Sequence, residues 1–371
     1  VKKKTFLWIT LDLCLVENVM TEYVREVFAA KYSILKENIV ISTIHTHAGP
    51  DISFLDEGPE RNRAKAEYRE WLVNHMIKAV DRCFLQGFVE TTPYGITGMV
   101  HGIYGCRNYQ ERQGDKQISI ILFRSQNHVA AGIFHFSCHP TVLGMYNRKI
   151  SSDLLGGIGK ALDKKYNTNF ITIQGASGDM GNRQFRQGND EKELHRVIDA
   201  VMEQVDHIAD AEGAEKPFDI LDGVTDLFDY QVEIHYDKED LQRQLDETRA
   251  KLSHAETEDQ RKLWGSGVLK LEQKIKTGKT TVQLPSFHIS LGDLEFVTIP
   301  GELFSAFGEQ IKKSMHGKIC LIWGYANYNG GYLVEKQEFG KGYESLSTQL
   351  LPGYAEIYVE KIIERIKEKR L

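Results

Sequence analysis

The chain has 371 residues, 41% of them hydrophobic and 26% charged, with a formal net charge of -6. This is ordinary globular composition, long enough for one large domain or two smaller ones. The acidic balance argues against nucleic acid as a partner, the five scattered cysteines without a C-x-x-C pair read as mostly buried free thiols rather than a zinc finger or disulfide framework, and no apolar run has the length of a membrane span, which leaves membrane contact at most peripheral.

Strand and helix patterns alternate from the start. Residues 5–13 read as an apolar strand, 17–32 have helical periodicity, and 39–44 (IVISTI) form a β-branched strand of the buried type. A long amphipathic helix covers 64–84. Strands over 118–124 and 129–136 flank the turn Ser125-Gln126-Asn127. A helix over 154–166, a strand over 170–173 and a helix over 191–209 follow, and strands resume over 221–236 and 282–299. Between these, 237–279 is densely charged, lacks proline and reads as two helices broken near Gly265-Ser266-Gly267 or slightly earlier. We expect an inserted helical hairpin there, a solvated surface appendage. A strand over 319–323, a glycine-rich loop and a helix from about Tyr354 close the chain. The pattern predicts an α/β fold with a mixed β-sheet core flanked by helices, in a single domain over 1–371 that carries the hairpin as an insertion.

Five segments carry the candidate chemistry. His45-Thr46-His47-Ala48-Gly49-Pro50 follows IVISTI directly. On an extended chain residues two apart face the same way, so both imidazoles can enter one cleft; a polar strand end explains them equally well. In His135-Phe136-Ser137-Cys138-His139-Pro140-Thr141, His135 reads as a hydrogen-bonded structural residue. His139, where Pro140 turns the chain out of the strand, is the better-placed ligand. Two histidine-bearing strand ends point to a metal more strongly than either alone. Glu302, in Ile299-Pro300-Gly301-Glu302, taken alone reads as a carboxylate at a helix N-terminus. The loop WGYANYNGGY, ending at Tyr332 and followed by Tyr343-Glu344, lacks the G-K-[ST] of a phosphate loop, although its glycines permit close backbone approach. The stretch QGASGDMGN over 174–182 does not fit G-x-S-x-G, because Asp179 stands two residues after Ser177. It reads as a turn with an inward Asp179.

In order and spacing, HTHAGP, CHPT, Ile150-Ser151-Ser152-Asp153, SGDMGN, IPGE and the run from GYANYNGGY to YESLST resemble the neutral (non-lysosomal) ceramidase family, from about Trp8 to about Pro352. The resemblance implies a zinc amidohydrolase of sphingolipid metabolism, cleaving the amide of a ceramide-like or other N-acyl substrate. It implies Zn2+ bound by His45, His139, Glu302 and Tyr332, with His47 and Tyr343 at the substrate. A partial match at Gly105-Cys106-Arg107-Asn108 adds Arg107. The family's G-D-V-S-P-N serine, proposed there as nucleophile, corresponds to Gly181. Attack is therefore expected from metal-activated water, with His47 moving the proton and Tyr343 and Arg107 donating to the oxyanion. Gly181 also keeps open a catalytically inactive, metal-holding binding protein, and the same chemistry would serve a metal-dependent esterase or phosphoesterase. Typical members are secreted or periplasmic, and a cytoplasmic setting stays open. Nothing in the sequence indicates an oligomeric state.

Overall fold

Strands that are apolar on both faces need cover on both sides, and here they stack as helix–sheet–sheet–helix. The structure, a computed structural model, describes residues 4–53, 57–109, 111–112, 114–144, 146–220 and 223–368. One sheet has the order β7 (Phe170–Gln174), β6 (His128–Phe136), β5 (Gln117–Ser125), β3 (Thr92–Met99), β9 (Lys216–Pro217), with β6 and β7 parallel. The other has the order β10 (Val224–His235), β11 (Lys279–Leu291), β12 (Leu294–Thr298), β14 (Ile319–Trp323), with β12 and β14 parallel. The mixed sheet core is thus two mixed sheets. Three short pairs complete the strands: β1 (Leu7–Leu11) with β2 (Ile39–Thr43), β4 (Gly105–Cys106) with β8 (Met180–Gly181), and β13 (Glu302–Leu303) with β15 (Tyr332–Leu333).

Alternation along the strands sorts the core. Ile121, Ile133 and Ile173 meet Phe287, Phe296 and Leu321 between the sheets. Their neighbours Ile120, Leu122, Phe134 and Phe136 pack with α3 (Asp153–Tyr166) and α4 (Glu191–Asp210). Leu284, Val297 and Ile322 pack with α7 (Ser305–Ser314) and α9 (Tyr354–Glu368). The helices α1 (Asn18–Tyr32) and α2 (Pro59–Gln86) cover β1 and β2. Each fully buried side chain of this size contributes about 1.5–3 kcal/mol.

Several boundaries differ from the sequence reading. The first strand is confined to Leu7–Leu11. The long helix starts at Pro59 rather than 64, with proline in the first turn, where its missing N–H costs nothing. The run 282–299 folds back at Gly292, whose φ of 75° supplies the turn between β11 and β12. Leu221 lies outside the described residues. All five cysteines are free thiols, but only Cys106 and Cys138 are buried and Cys83 is exposed. Among the described residues no helix is long and apolar enough to cross a membrane.

The charged insertion forms α5 (Lys238–Ser253) and α6 (Glu258–Thr277). The break falls before Gly265, at 254–257, where Thr257 and Gln260 form a capping box that fixes the start of α6. The hairpin is also more than a solvated appendage. Leu241, Leu245 and Leu271 bury themselves against Leu346 of α8 (Tyr343–Ser347), because the charged residues occupy only the outer faces of the pair.

Candidate metal centre

β1 and β2 run parallel, so the segments leaving them emerge side by side. β2 ends at Thr43, whose N–H donates to Tyr325 O at 3.2 Å. Two residues on, His45 adopts the left-handed region, with φ of 64°. That conformation costs a non-glycine residue about 1–2 kcal/mol. It turns the imidazole so that Nδ1 donates to Cys14 O at 2.7 Å, while the Tyr325 ring stacks on it at 4.1 Å between centroids. A kink, not strand alternation, therefore orients His45. His47 still reaches the same point: its Nε2 lies 3.3 Å from His45 Nε2, with the rings perpendicular.

His139 follows β6. Its N–H donates to Met180 O at 3.1 Å, it bridges to Gly181, and its Nδ1 donates to Ser177 O at 2.7 Å. Glu302 and Tyr332 are direct partners in the parallel β13–β15 pair, which sets their side chains next to one another. A Cβ on Gly301 would collide with Gly331 O, so glycine is what lets these two segments close up.

The four side chains converge. His45 Nε2 is 3.0 Å from His139 Nε2. Glu302 Oε2 is 3.3 Å from the first and 3.2 Å from the second. Tyr332 OH is 3.4 Å from His139 Nε2. A carbonyl only accepts, so both Nδ1 atoms carry their protons, and each Nε2 points inward, where it offers a lone pair once it is unprotonated. Two Nε2 atoms thus face a buried carboxylate oxygen that makes no hydrogen bond of its own. Such a cluster calls for a cation.

The titration behaviour agrees. Burial opposes charge on both rings, yet Cys14 and Glu302 raise His45 to about 10, while burial, then Arg107, push His139 down to about 3. Against its burial, the histidines hold Glu302 well below the usual carboxylate range. Positive charge is thus favoured beside Glu302, and a cation could supply it. His45, His139 and Glu302 could hold a metal ion, and two imidazoles with a carboxylate are a donor set that divalent transition ions accept.

His47 lies at the mouth, exposed on one edge. Burial of its inner edge, then His45 and His139, push its pKa well below the usual histidine value and keep it neutral. Burial first, then Glu302, raise the Tyr332 phenol well above its ordinary value. Arg107 stands beside it, donating from Nη2 to Glu344 Oε1 at 2.7 Å and to Gly178 O. A Cβ at Gly181 would lie 3.0 and 3.1 Å from Arg107 Cδ and Cγ, so the arginine stem fills the space a residue-181 side chain would need. The Tyr343 ring meets Tyr332 edge-on at 6.1 Å.

Other motif residues have structural duties. Asp179, rather than Glu302, serves the helix N-terminus, accepting from Ser305 N at 2.7 Å and Ser305 Oγ at 2.9 Å. His135 Nε2 donates to Ile322 O at 3.0 Å, and burial pushes its pKa to about 4. Ser177 is fully buried, with Oγ 2.9 Å from Tyr325 OH. The sequence reading passed over Cys14, Ser177 as a carbonyl anchor, and Tyr325. Main-chain acceptors leave no trace in residue identity, whereas Tyr325 lay within the glycine-rich loop already singled out.

A crystal structure of a neutral ceramidase from Pseudomonas aeruginosa matches this chain with a TM-score of 0.69 at 17% identity, over 98% of this chain and 66% of that one. This chain has the neutral ceramidase fold. A second structure, a ceramidase complexed with C2, matches with a TM-score of 0.67 at 15% identity, over 98% of this chain and 67% of that one. The chain therefore spans about two thirds of the length of either ceramidase structure. No family model and no curated protein sequence matches it.

Proposed function

We propose that this chain is a zinc-dependent hydrolase that cleaves the amide bond of a lipid-like N-acyl substrate, ceramide-like or related. The observation that carries the reading is the pair of inward Nε2 atoms 3.0 Å apart beside the unbonded Glu302 Oε2. His45, His139 and Glu302 would hold the ion, with Tyr332 as fourth donor. When bound, zinc supplies Lewis-acid polarisation of a carbonyl and water acidified to a pKa of about 7. Glu302 stays anionic throughout. His47, neutral and open at the mouth, is free to move a proton to the leaving amine. Arg107 and Tyr343, on the Tyr332 side, can donate hydrogen bonds to charge developing on the carbonyl oxygen.

Gly181 favours a second reading, a metal-holding binding protein, because Arg107 occupies the room a nucleophilic side chain would need. One experiment separates them. The purified chain is analysed for metal, stripped with chelator, reloaded with zinc and offered N-acyl sphingoid bases, N-acyl amino acids, and carboxylic and phosphate esters. Amide cleavage that vanishes on stripping and returns with zinc supports the hydrolase. Stoichiometric zinc without cleavage across the panel supports the binder, and cleavage of esters alone moves the assignment to an esterase or phosphoesterase.

A further inference from the structure

The charged insertion reaches the side chains around the candidate centre. Its second helix, α6, carries Gly265-Ser266-Gly267 in mid-course, although glycine is a poor helix former. Gly267 lets the helix come close: a Cβ there would stand 2.9 Å from Leu346 Cδ1 and 3.3 Å from Thr248 Cγ2. That approach brings Ser266 Oγ to 3.3 Å from Tyr343 OH. About two turns further along α6, Lys274 Nζ donates to Leu346 O at 2.9 Å. The insertion therefore grips α8 at both ends.

The gripped segment is the one that leans on the metal donors. Tyr343 packs edge-on against Tyr332, Glu344 holds Arg107, and Thr348 Oγ1 donates to Tyr332 O at 2.6 Å. A short helix of five residues has little stability of its own, so its position depends on what packs against it. We propose that the α5–α6 hairpin is one wall of the catalytic cleft and that Ser266 is the positioning residue that sets the Tyr343 hydroxyl toward the substrate. The proposal rests on the hydrolase reading for its catalytic consequence, but the clamp itself stands on the packing alone.

The test uses the zinc-loaded full chain with three variants, Ser266→Ala, Tyr343→Phe and the double variant, and with Ser266→Thr as the conservative control. The substrate is a fluorogenic N-octanoyl arylamide. One hydrogen bond is worth about 1 kcal/mol, so Ser266→Ala should lower kcat about five-fold with KM nearly unchanged. It should cost nothing further in the Tyr343→Phe background, and Ser266→Thr should restore most of the rate at unchanged zinc content. Equal losses in both backgrounds, or no loss in either, would overturn the positioning role.

Two readouts do not depend on turnover. Amide hydrogen exchange over 343–348 should quicken about five-fold in Ser266→Ala, and octanohydroxamate affinity for the zinc-loaded chain should fall by a similar factor. If the wild type cleaves nothing, the hydrolase reading fails while these two measurements still decide the clamp. Unchanged exchange and unchanged hydroxamate affinity would return the hairpin to a surface appendage.

Discussion

Replacing Ser177 by alanine separates a structural hydroxyl from a catalytic one. Ser177 Oγ and Tyr325 OH are 2.9 Å apart in the interior, and both residues are essentially inaccessible to solvent. Deleting Oγ leaves the Tyr325 hydroxyl stranded, at a cost of about 1–3 kcal/mol. A chain of this length unfolds with an entropy of about 0.8 kcal/mol/K, so Tm should fall by about 1–4 °C. Tyr325→Phe strands Ser177 in the same way, and the double variant should recover at least part of the loss, because neither hydroxyl is then left alone. The metal should be untouched, since His139 Nδ1 is held by the main-chain carbonyl of Ser177 and not by its side chain. Calorimetric Tm, zinc stoichiometry and kcat on the same preparations read all three consequences. Loss of turnover in fully metallated Ser177→Ala, with an acyl group trapped on Ser177 in the wild type, would make that serine the nucleophile and refute the reasoning.

Three further predictions follow different parts of the structure. His47→Ala should lower kcat about 10²–10⁴-fold with zinc content unchanged; a fall that tracks zinc loss would make His47 a ligand instead. Gly181→Ala should push the Arg107 stem aside by a few tenths of an ångström and lower kcat several-fold at nearly constant Tm; an unchanged kcat would remove Arg107 from the chemistry. Lys274 is mostly buried, and burial, then Lys270, push its pKa from 10.5 down to about 8. The unfolded chain therefore binds that proton more tightly between about pH 8 and 10.5, so wild-type stability should rise with pH across that window. Urea titrations of wild type against Lys274→Met should show the difference shifting toward the wild type by about 1–3 kcal/mol from pH 7.5 to 10.5, and a flat difference would refute the burial argument.

The core strands were legible because their signal is local. IVISTI and the strands flanking Ser125-Gln126-Asn127 carry β-branched runs bounded by turn residues, and they fold within a residue or two of the expected limits. The hairpin was legible as two helices, but its break was not, since Gly265-Ser266-Gly267 outweighed the subtler capping box of Thr257 and Gln260. Its docking on α8 was invisible for another reason. Leu241, Leu245 and Leu271 form a sparse apolar stripe in a heavily charged segment, and which surface covers such a stripe is a tertiary fact. At the candidate centre the residue types pointed to His45 and His139, and Glu302 entered only through the family resemblance; the reason given for His45 and His47 facing one cleft was not the operative one. The left-handed turn at His45 is fixed by Cys14 O and by the Tyr325 ring, groups that come from distant segments. Asp179 and Glu302 likewise exchanged duties at the start of α7, because proximity to that helix in sequence did not mean proximity to its first N–H.

The pairing of Glu302 with Tyr332 has a bearing on how this protein can change over generations. Both side chains enter the centre by backbone register, so the number of residues in the loop from Gly324 to Gly331 counts for more than their identity. Period-two alternation means that deleting one loop residue would draw Leu333, now part of the apolar core, into the place of Tyr332. The close approach of Gly301 to Gly331 leaves no slack in which such a slip could be absorbed. Drift in this loop should accordingly proceed by substitution and hardly ever by length, whereas the 254–257 turn at the tip of the hairpin, which touches no donor, is free to lengthen or shorten.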